Sequence, residues 1–414
     1  MNFKLALAAA AVVGLAGTAQ AADLAKKAPA AADYVKVCDA YGAGFFYIPG
    51  SDTCLKIGGY VRVELRTGDH DTNGAAPGVG LGYDRGENYL NSRVRTQLTF
   101  DARTNTEMGL LRSFIELWIQ NQSGQTGTVS VNMRNAFVQF AGLTAGRASS
   151  NFDFIQGGYN IGNIEQDGSD RRVNLLAYTF SFGNGISATL GIEDPTTADA
   201  ALPWGWVPAR NAAGAIVGIA YDGSTNVRMP DFVGNIAIAQ SWGRAQLSAA
   251  IHANRNDVFY VTAQEKTGYV IGAGVEVNLP MLGAGDKMFV QGAYTKGAVD
   301  YLLNSTNTGF GVLARNWDSA TETNSKAWFV AGGLNHNFSK AVEANLGVSY
   351  FDYEDATIAA NDYTSWVIGG DVRWKPVAGL TLAAALDYRT IDYNARGVSN
   401  GDQWMGTLRV QRNF

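Results

Sequence analysis

Apolar and polar residues alternate along most of this chain with the period of two that is typical of β-strands. In residues 56–66, the side chains of Val61, Val63 and Leu65 fall on one face, and those of Arg62 and Glu64 fall on the other. The same alternation predicts sixteen strands of roughly 8–15 residues, which begin near Lys56, Leu90, Met108, Thr128, Thr144, Val173, Ile186, Phe232, Ala245, Gly268, Lys287, Lys326, Ala341, Tyr363, Leu380 and Gln403.

The connections between these segments alternate in length. The short ones carry turn residues and are Asn184-Gly185, Trp242-Gly243-Arg244, Ser339-Lys340 and Pro376-Val377-Ala378-Gly379. The long ones are polar and rich in Gly, Asn and Asp, and they cover residues 67–88, 194–231, 298–325 and 389–402. Short turns at one end and long loops at the other predict an all-β fold, a transmembrane antiparallel β-barrel of about sixteen strands.

A soluble β-sandwich would show the same alternation and is the main alternative. Two features favour the barrel, and the first is that no linker or change of composition divides the strands into domains. The second is that aromatic residues cluster at segment ends, where a barrel meets the two membrane interfaces. These residues are Trp118, Trp242, Trp328, Tyr350, Phe351, Tyr353, Trp366, Trp374, Tyr388 and Trp404.

Composition excludes several other classes of protein. Only 17% of the residues are charged, against about 25% in soluble domains, and no run of 18 apolar residues follows the N-terminal segment. The formal net charge is −5, whereas nucleic-acid binding favours a basic excess. The chain has 3 His and 2 Cys, too few for a His/Cys-rich metalloprotein. We therefore expect no cofactor, no metal and no nucleic-acid partner.

The N-terminus has the features of an export signal. Lys4 precedes an apolar run, and Ala19-Gln20-Ala21 has the small-x-small form of a signal-peptidase site, so cleavage is expected after Ala21. Residues 22–55 are then a periplasmic extension and 56–414 the barrel. In an oxidising compartment Cys38 and Cys54 can form a disulfide, the alternative being two buried free thiols.

The last segment ends in an aromatic residue. Trp404, Leu408, Val410 and Phe414 share one face, and a terminal Phe on such a strand is similar to the signal that the barrel-assembly machinery reads. Arg412 departs from this signal, because an apolar residue or Tyr is common at that place. Phe414 is therefore a candidate assembly signal.

Three stretches resemble the porins of α-proteobacterial outer membranes, of the Brucella and rhizobial type. They are YVKVCDAYGAGFFYIPGSDTCLKIGGYVRVELR at 34–66, RNAFVQFAGLTAGRASSNFDF at 134–154 and the terminal RVQRNF. The resemblance implies a sixteen-stranded barrel, a homotrimer in the lipid and lipopolysaccharide of the outer membrane, and a third loop folded into the lumen. It also implies passive diffusion of ions and small hydrophilic solutes.

The candidate pore site combines an acidic loop with a basic wall. Residues 148–172 follow the fifth strand, and their acids are Asp153, Glu165, Asp167 and Asp170. The basic positions on the lumen face of the early strands are Arg62, Arg66, Arg93, Arg95, Arg112 and Arg134. Arginine at a lipid-facing midplane position would cost roughly 2–4 kcal/mol, so these side chains are expected to face water. An acidic loop opposite a basic wall predicts a transverse field that orients dipolar solutes.

Other interpretations remain open. Asp and Glu outnumber Lys and Arg by 37 to 32, which favours a weak cation preference, but the arginines could also form a solvated wall without selectivity. A substrate-specific channel for sugars or anions is the second hypothesis, with Tyr60 and Trp118 as inward aromatic residues. An outer-membrane hydrolase lacks a recognisable catalytic spacing. His70 between two aspartates is a weak candidate for a metal site.

Overall fold

The computed structural model describes residues 36–71, 90–123, 129–162, 164–197, 205–210, 216–222, 229–256, 264–303, 314–318, 321–394 and 401–414. The signal segment 1–21 and residues 22–35 lie outside this part of the chain. The described residues form β-strands and four short 3₁₀ helices, with no α-helix. None of their helices is long and apolar enough to cross a membrane.

The main sheet has 17 strands, one of which is the two-residue strand Phe46–Tyr47. The other sixteen are β1 Cys54–Asp71, β2 Leu90–Thr106, β3 Gly109–Gln122, β4 Ser130–Phe140, β5 Leu143–Ser149, β6 Arg172–Gly183, β7 Ile186–Asp194, β8 Asp231–Gln240, β9 Gly243–Asn256, β10 Gln264–Asn278, β11 Lys287–Lys296, β12 Lys326–Asn337, β13 Val342–Glu354, β14 Tyr363–Trp374, β15 Leu380–Tyr393 and β16 Gly401–Asn413. They match the sixteen predicted segments.

Minor elements lie in the connections. They are the strand pairs Gly205–Arg210 with Ile216–Asp222 and Trp317–Asp318 with Thr323–Asn324, and the 3₁₀ helices Asp39–Tyr41, Pro195–Thr197, Val299–Tyr301 and Ala359–Asn361.

Each of the sixteen strands pairs antiparallel with the next, and the last strand returns to the first. The closing pair runs from Tyr60 opposite Asn413 to Asp71 opposite Asp402. The amide of Phe414 also donates to the carbonyl of Gly59 at 3.1 Å. Closure leaves no exposed sheet edge, which an antiparallel sheet in hydrocarbon requires. The barrel prediction is confirmed, and the β-sandwich alternative is wrong.

Short turns join the strands at one end. At the turn between β6 and β7, Asn184 and Gly185 have φ of 51° and 76°, as a two-residue hairpin requires. The long connections lie at the opposite end. There, β1 and β15 continue through residues 67–71 and 389–393, which the sequence pattern assigned to loops. Few of these residues are apolar in the sequence, but their backbones still pair: residues 67–71 and 389–391 pair with β16, and residues 392–393 pair with β14.

The two faces of the wall differ in polarity. On β1, Val61, Val63 and Leu65 point outward and are 43–46% exposed on the isolated chain, whereas Glu64 is fully buried in the interior. Alternation therefore gives an apolar outer band and a polar lumen, the reverse of a soluble domain.

The N-terminal residues form a small disulfide-bonded unit at the short-turn end. Cys38 and Cys54 are bonded and bury the ring of Phe45 beside them. The guanidinium of Arg103, on the lumen face of β2, lies 5.0 Å from the centre of that ring. The unit is thus attached to the inner rim of the barrel, and β1 begins at Cys54 itself.

Candidate functional site

The connection between β5 and β6 folds into the lumen. We call residues 150–171 the inner loop; it corresponds to the predicted loop 148–172. At its start, the carbonyl of Phe152 accepts a hydrogen bond from Ser248 Oγ of β9 at 2.9 Å. Gln291 of β11 then bonds both the amide and the carbonyl of Ile155, at 3.0 and 2.9 Å. The loop is therefore fixed to the wall through its backbone.

The middle of the inner loop reaches the last strands. Asn160 Nδ2 donates to Asp387 of β15 at 2.9 Å, and the amide of Ile161 donates to Asp371 of β14 at 2.6 Å. The carbonyl of Ile161 accepts from Arg409 of β16 at 2.9 Å. These bonds carry the loop across the lumen to the strand that closes the barrel.

The returning half of the loop is buried against β12 to β15. Gln166 Nε2 donates to the carbonyls of Gly332 and Val348 at 2.8 Å. Asp167 bonds Ser349 through both its amide and its carboxylate, at 2.8 and 2.9 Å. The hydrogen bonds of the loop thus reach strands from β7 to β16, because Ser150 and the amide of Asn151 also donate to Glu193 of β7, at 2.8 and 2.9 Å. We call the sector formed by β1 to β4, to which none of these bonds runs, the open sector.

Glycines on the lumen face make room for the loop. A Cβ at Gly274 of β10 would lie 2.2 Å from the ring of Phe154, and one at Gly272 would lie 2.9 Å from the ring of Phe152. A Cβ at Gly347 of β13 would lie 2.7 Å from the side chain of Gln166. Because carbon atoms pack at about 3.5–4.0 Å, only glycine fits these positions with the loop in place.

Three of the four predicted loop acids have hydrogen-bond or ion-pair partners within the protein, whereas Oε2 of Glu165 is buried without one among the described residues. Asp167 is 1% exposed and pairs with Arg389 at 3.2 Å, while Asp170 pairs with Arg172. Asp153 accepts hydrogen bonds from Gln156, Ser169 and the amide of Arg171, the first at 2.7 Å and the last at 2.9 Å. All four lie in the inner loop, as placed from the sequence, but much of their charge is directed at protein groups.

Burial changes the ionisation of two of these acids. Burial and the nearby charge of Asp170 raise the pKa of Asp153 to about 6. The same two causes raise the pKa of Glu165, against the opposing charges of Arg134, Arg172 and Arg389. The loop is therefore less acidic than its composition suggests.

The predicted basic wall occupies the open sector. Three of its members surround one buried carboxylate, because Glu64 lies 3.9 Å from Arg62, 2.6 Å from Arg66 and 2.5 Å from Arg93. Arg409 of β16 adds a fourth guanidinium at 2.6 Å. We call these five residues the Glu64 cluster. Four positive groups around one negative group give it an excess of positive charge.

The remaining three wall arginines lie on β2, β3 and β4. Arg95 and Arg134 each stack on the indole of Trp118, at 3.9 and 4.0 Å from the ring centre. Arg112 bonds Asp101 at 2.9 and 3.0 Å near the short-turn end. All six predicted arginines are therefore on the lumen face, in one continuous sector.

Some arginines of this sector lie directly beside each other on adjacent strands. Arg62 is the cross-strand neighbour of Arg95, and Arg103 is the neighbour of Arg112. Such pairs destabilise a sheet, so neighbouring carboxylates and aromatic rings are needed to hold them. Their concentration makes the open sector the candidate functional surface of the lumen.

Two features of the site were not found by sequence reasoning. Arg409 belongs to the basic cluster, but it lies more than 300 positions from Glu64 and only barrel closure joins them. The glycines that receive the inner loop were not singled out either. These glycines could have been recognised from their position, because they lie on the lumen face of β10 and β13, where a pore wall otherwise carries polar side chains.

The two histidines whose side chains are described, His252 and His336, each lie beside an aspartate. No group of three or more His, Cys, Asp or Glu in the described ranges could hold a metal ion. Nδ1 of His252 lies 2.8 Å from Asp231, and Nδ1 of His336 lies 2.5 Å from Asp286. The side chain of His70 lies outside the described part of the structure.

A closed sixteen-stranded barrel with an apolar exterior and a charged, loop-narrowed lumen defines an outer-membrane channel. Comparison with known proteins agrees. A family model described as "Porin subfamily" matches residues 23–409, and this chain belongs to that family.

Curated relatives and solved structures are similar to this chain. Porin Omp2b of Brucella suis biovar 1 (strain 1330) and that of Brucella abortus (strain 2308) are each 29% identical, with full coverage of both chains. The outer membrane channel DcaP of Acinetobacter baumannii superposes with a TM-score of 0.66 at 16% identity, covering 89% of this chain and 99% of that one. An anion-selective porin from Comamonas acidovorans superposes with a TM-score of 0.51 at 13% identity, covering 87% of this chain and 100% of that one.

Proposed function

We propose that this protein is a general diffusion porin. It forms a water-filled channel through which ions and small hydrophilic solutes pass passively across the outer membrane, and it has no enzymatic role. The observation that carries this proposal is the position of the inner loop. The hydrogen bonds of the loop run to the lumen wall from β7 to β16, and in this proposal the passage follows the sector of β1 to β4.

The sign of selectivity depends on the charges that line this passage. The acids of the inner loop are paired or have raised pKa values. The Glu64 cluster instead has four guanidiniums for one carboxylate. Because charges beyond a Debye length of ~8–10 Å are screened, the cluster outweighs the acidic total of the chain. We therefore propose a weak anion preference in place of the weak cation preference expected from composition.

Diffusion is favoured over specific sugar transport by the lumen aromatics. A sugar track needs exposed ring faces, but both Tyr60 and Trp118 are covered by guanidinium groups. Arg62 lies 4.4 Å from the centre of the Tyr60 ring, and Trp118 contacts Arg95 and Arg134. A channel specific for anions is the second candidate, and the Glu64 cluster is the observation that favours it.

For export and assembly we keep the expectations drawn from the sequence. We propose that a signal peptide of residues 1–21 is removed, that 22–55 form a periplasmic extension and that 56–414 form the barrel. Phe414, which pairs with Gly59 at the closing seam, serves as the assembly signal for the barrel-assembly machinery. The apolar outer band contacts membrane lipid and lipopolysaccharide.

The subunits assemble as a homotrimer in this proposal. One similar solved structure, OmpT of Vibrio cholerae, is titled as a trimer form and has a TM-score of 0.50 at 11% identity, covering 88% of this chain and 100% of that one. The outer wall is also asymmetric: exposed Tyr and Trp, which mark lipid interfaces, include Tyr178, Tyr269, Trp328, Trp366, Tyr388 and Trp404. Within the described residues, β1 to β5 expose none, so we place the subunit contact there.

Planar-bilayer recording and liposome swelling test the channel. We expect stepwise openings in groups of three, a reversal potential that indicates weak anion preference, and entry of small sugars at rates that fall with their size. Liposomes that stay tight to ions and sugars would contradict the channel. Saturable entry of a single solute would favour the specific channel.

A further inference from the structure

A cavity of about 430 Å³ lies between the inner loop and the short-turn ends of β9, β10 and β11. Phe154 and Tyr159 of the loop line one side, and Arg244, Glu276 and Lys287 line the other. This volume is in the range of small-molecule sites, roughly 300–1,000 Å³. The cavity is separate from the Glu64 cluster, since it lies against the opposite half of the wall.

The cavity is lined by two cations, Arg244 and Lys287, and two acids, Glu276 and Asp153. The carboxylate of Glu276 accepts a hydrogen bond from Tyr159 at 2.6 Å and one from Arg244 Nε at 3.2 Å. Lys287 Nζ lies 3.6 Å from the same carboxylate. The second acid on the lining, Asp153, is bonded within the loop. Two cations therefore share the carboxylate of Glu276, while that of Asp153 is held by donors of the loop.

Both cations keep donors for a ligand. Arg244 uses Nε for Glu276, and its two terminal nitrogens have no hydrogen-bond partner in the described part of the chain. The side chains of Arg244 and Lys287 are 44% and 39% exposed. Guanidinium binds carboxylate through a planar pair of N–H groups, so Arg244 presents a carboxylate site and Lys287 adds a second charge.

The aromatic rings indicate the rest of the ligand. Arg244 lies 4.8 Å from the centre of the Phe154 ring, and Lys287 lies 4.9 Å from that of Tyr159. Because cations cover these ring faces, the stacking that a sugar needs is blocked. The edges of these two rings, also on the lining, remain as an apolar surface beside the two charges, whereas Ile155 is buried.

We propose that this cavity is a docking site for small organic carboxylates with a planar apolar part, such as aromatic monocarboxylates. The proposal rests on the proposed channel function, because the ligand reaches the cavity through the lumen. The carboxylate binds Arg244 and Lys287, and the apolar part packs against the ring edge of Phe154. Such a ligand binds weakly and slows ion flow while it is present.

The test measures how sodium benzoate reduces single-channel current in potassium chloride. Wild-type channels are compared with the double variant Arg244→Gln/Lys287→Gln, with the charge-conserving Arg244→Lys/Lys287→Arg and with Lys326→Gln. Lys326 pairs with Glu354 and is 46% exposed, on the outer side of β12. It is therefore a matched loss of charge away from the cavity. Folding of each variant is checked by the resistance of the unheated barrel to sodium dodecyl sulfate.

We expect the Arg244→Gln/Lys287→Gln channel to need at least ten times more benzoate for the same loss of current. The charge-conserving variant and Lys326→Gln should respond like the wild type, and acetate should act more weakly than benzoate. Equal block of the double variant, equal effects of acetate and benzoate, or wild-type current insensitive to benzoate would each overturn the docking site. Absence of any current in the folded wild type would instead overturn the channel function.

Discussion

At the scale of single residues, Glu64 holds the basic wall together. It is fully buried, and the guanidiniums of Arg66, Arg93 and Arg409 lie within 2.6 Å of its carboxylate. Without this carboxylate, four positive groups would face one another in the narrow part of the lumen. Glu64 therefore has two effects, since it allows the arginines to pack and it sets how much positive charge remains.

Glu64→Gln should raise anion preference and lower stability. The loss of a buried ionic partner costs roughly 3–5 kcal/mol, and the exposed positive charge should shift the reversal potential further towards that of the anion. Reversal potentials in a salt gradient and the temperature of barrel unfolding measure the two effects. Glu354→Gln is the control, because this carboxylate is 56% exposed and belongs to an outer rim pair. An unchanged reversal potential would show that the cluster lies off the conducting path.

Asp153 makes the inner loop sensitive to pH. Its pKa is raised to about 6 by burial and by Asp170, against about 3.9 for a free aspartate. The folded state therefore holds a proton that the unfolded state releases, so the stability from this group is full below about pH 4 and falls as pH rises through 6. At pH 8 Asp153 is ionised, and we expect this charge to loosen the inner loop.

We expect more frequent fluctuations of the single-channel current at pH 8 than at pH 5. Asp153→Asn, which is neutral throughout, should remove the difference while leaving the mean conductance at pH 5 unchanged. Recordings at both pH values on the two channels make the comparison. Equal pH dependence in the variant would mean that another group is responsible.

At the scale of elements, the strands were predictable and the seating of the inner loop was not. Each wall strand repeats a two-residue pattern, because lipid lies on one face and water on the other. The predicted start of β7, Ile186, is therefore also its start in the structure. The loop acids were placed in the correct segment. Their partners could not be found, because Asp167 meets Arg389 only after ten strands have curved back on themselves.

Gly274→Ala should displace the inner loop without opening the barrel. The added Cβ would lie 2.2 Å from the Phe154 ring, so the ring must move by more than 1 Å to reach ordinary contact at about 3.5–4.0 Å. The wall lies behind the new methyl group, so the ring moves towards the lumen and conductance should fall. Overpacking of this kind costs roughly 1–3 kcal/mol.

Single-channel conductance and the unfolding temperature test this substitution. Gly406→Ala is its control, because a Cβ there meets Thr67 at 3.5 Å, an ordinary contact. Wild-type conductance in Gly274→Ala would mean that Phe154 does not set the width of the passage.

At the scale of the whole molecule, alternation predicted closure but not which side of the barrel meets another subunit. Every outer face is apolar, so hydrophobicity alone does not distinguish lipid from protein. We base the proposed subunit contact on the distribution of exposed Tyr and Trp. Trp328, Trp366 and Trp404 lie on strands β12 to β16, whereas β1 to β5 expose no Tyr or Trp among the described residues. The proposed contact adjoins the open sector of the lumen, which brings the three passages close to the centre of the trimer.

Ile115→Asn should weaken the trimer, whereas Val275→Asn should not. Both side chains point outward from the barrel and are similarly exposed on the isolated chain, 41% and 38%. Ile115 is on β3 in the proposed contact, and Val275 is on β10 in the lipid-facing part. An amide costs free energy in either apolar setting, but only at a subunit contact does it also disturb packing between subunits. The temperature at which trimers dissociate on unheated gels should fall for Ile115→Asn alone, and an equal fall for Val275→Asn would place the contact elsewhere.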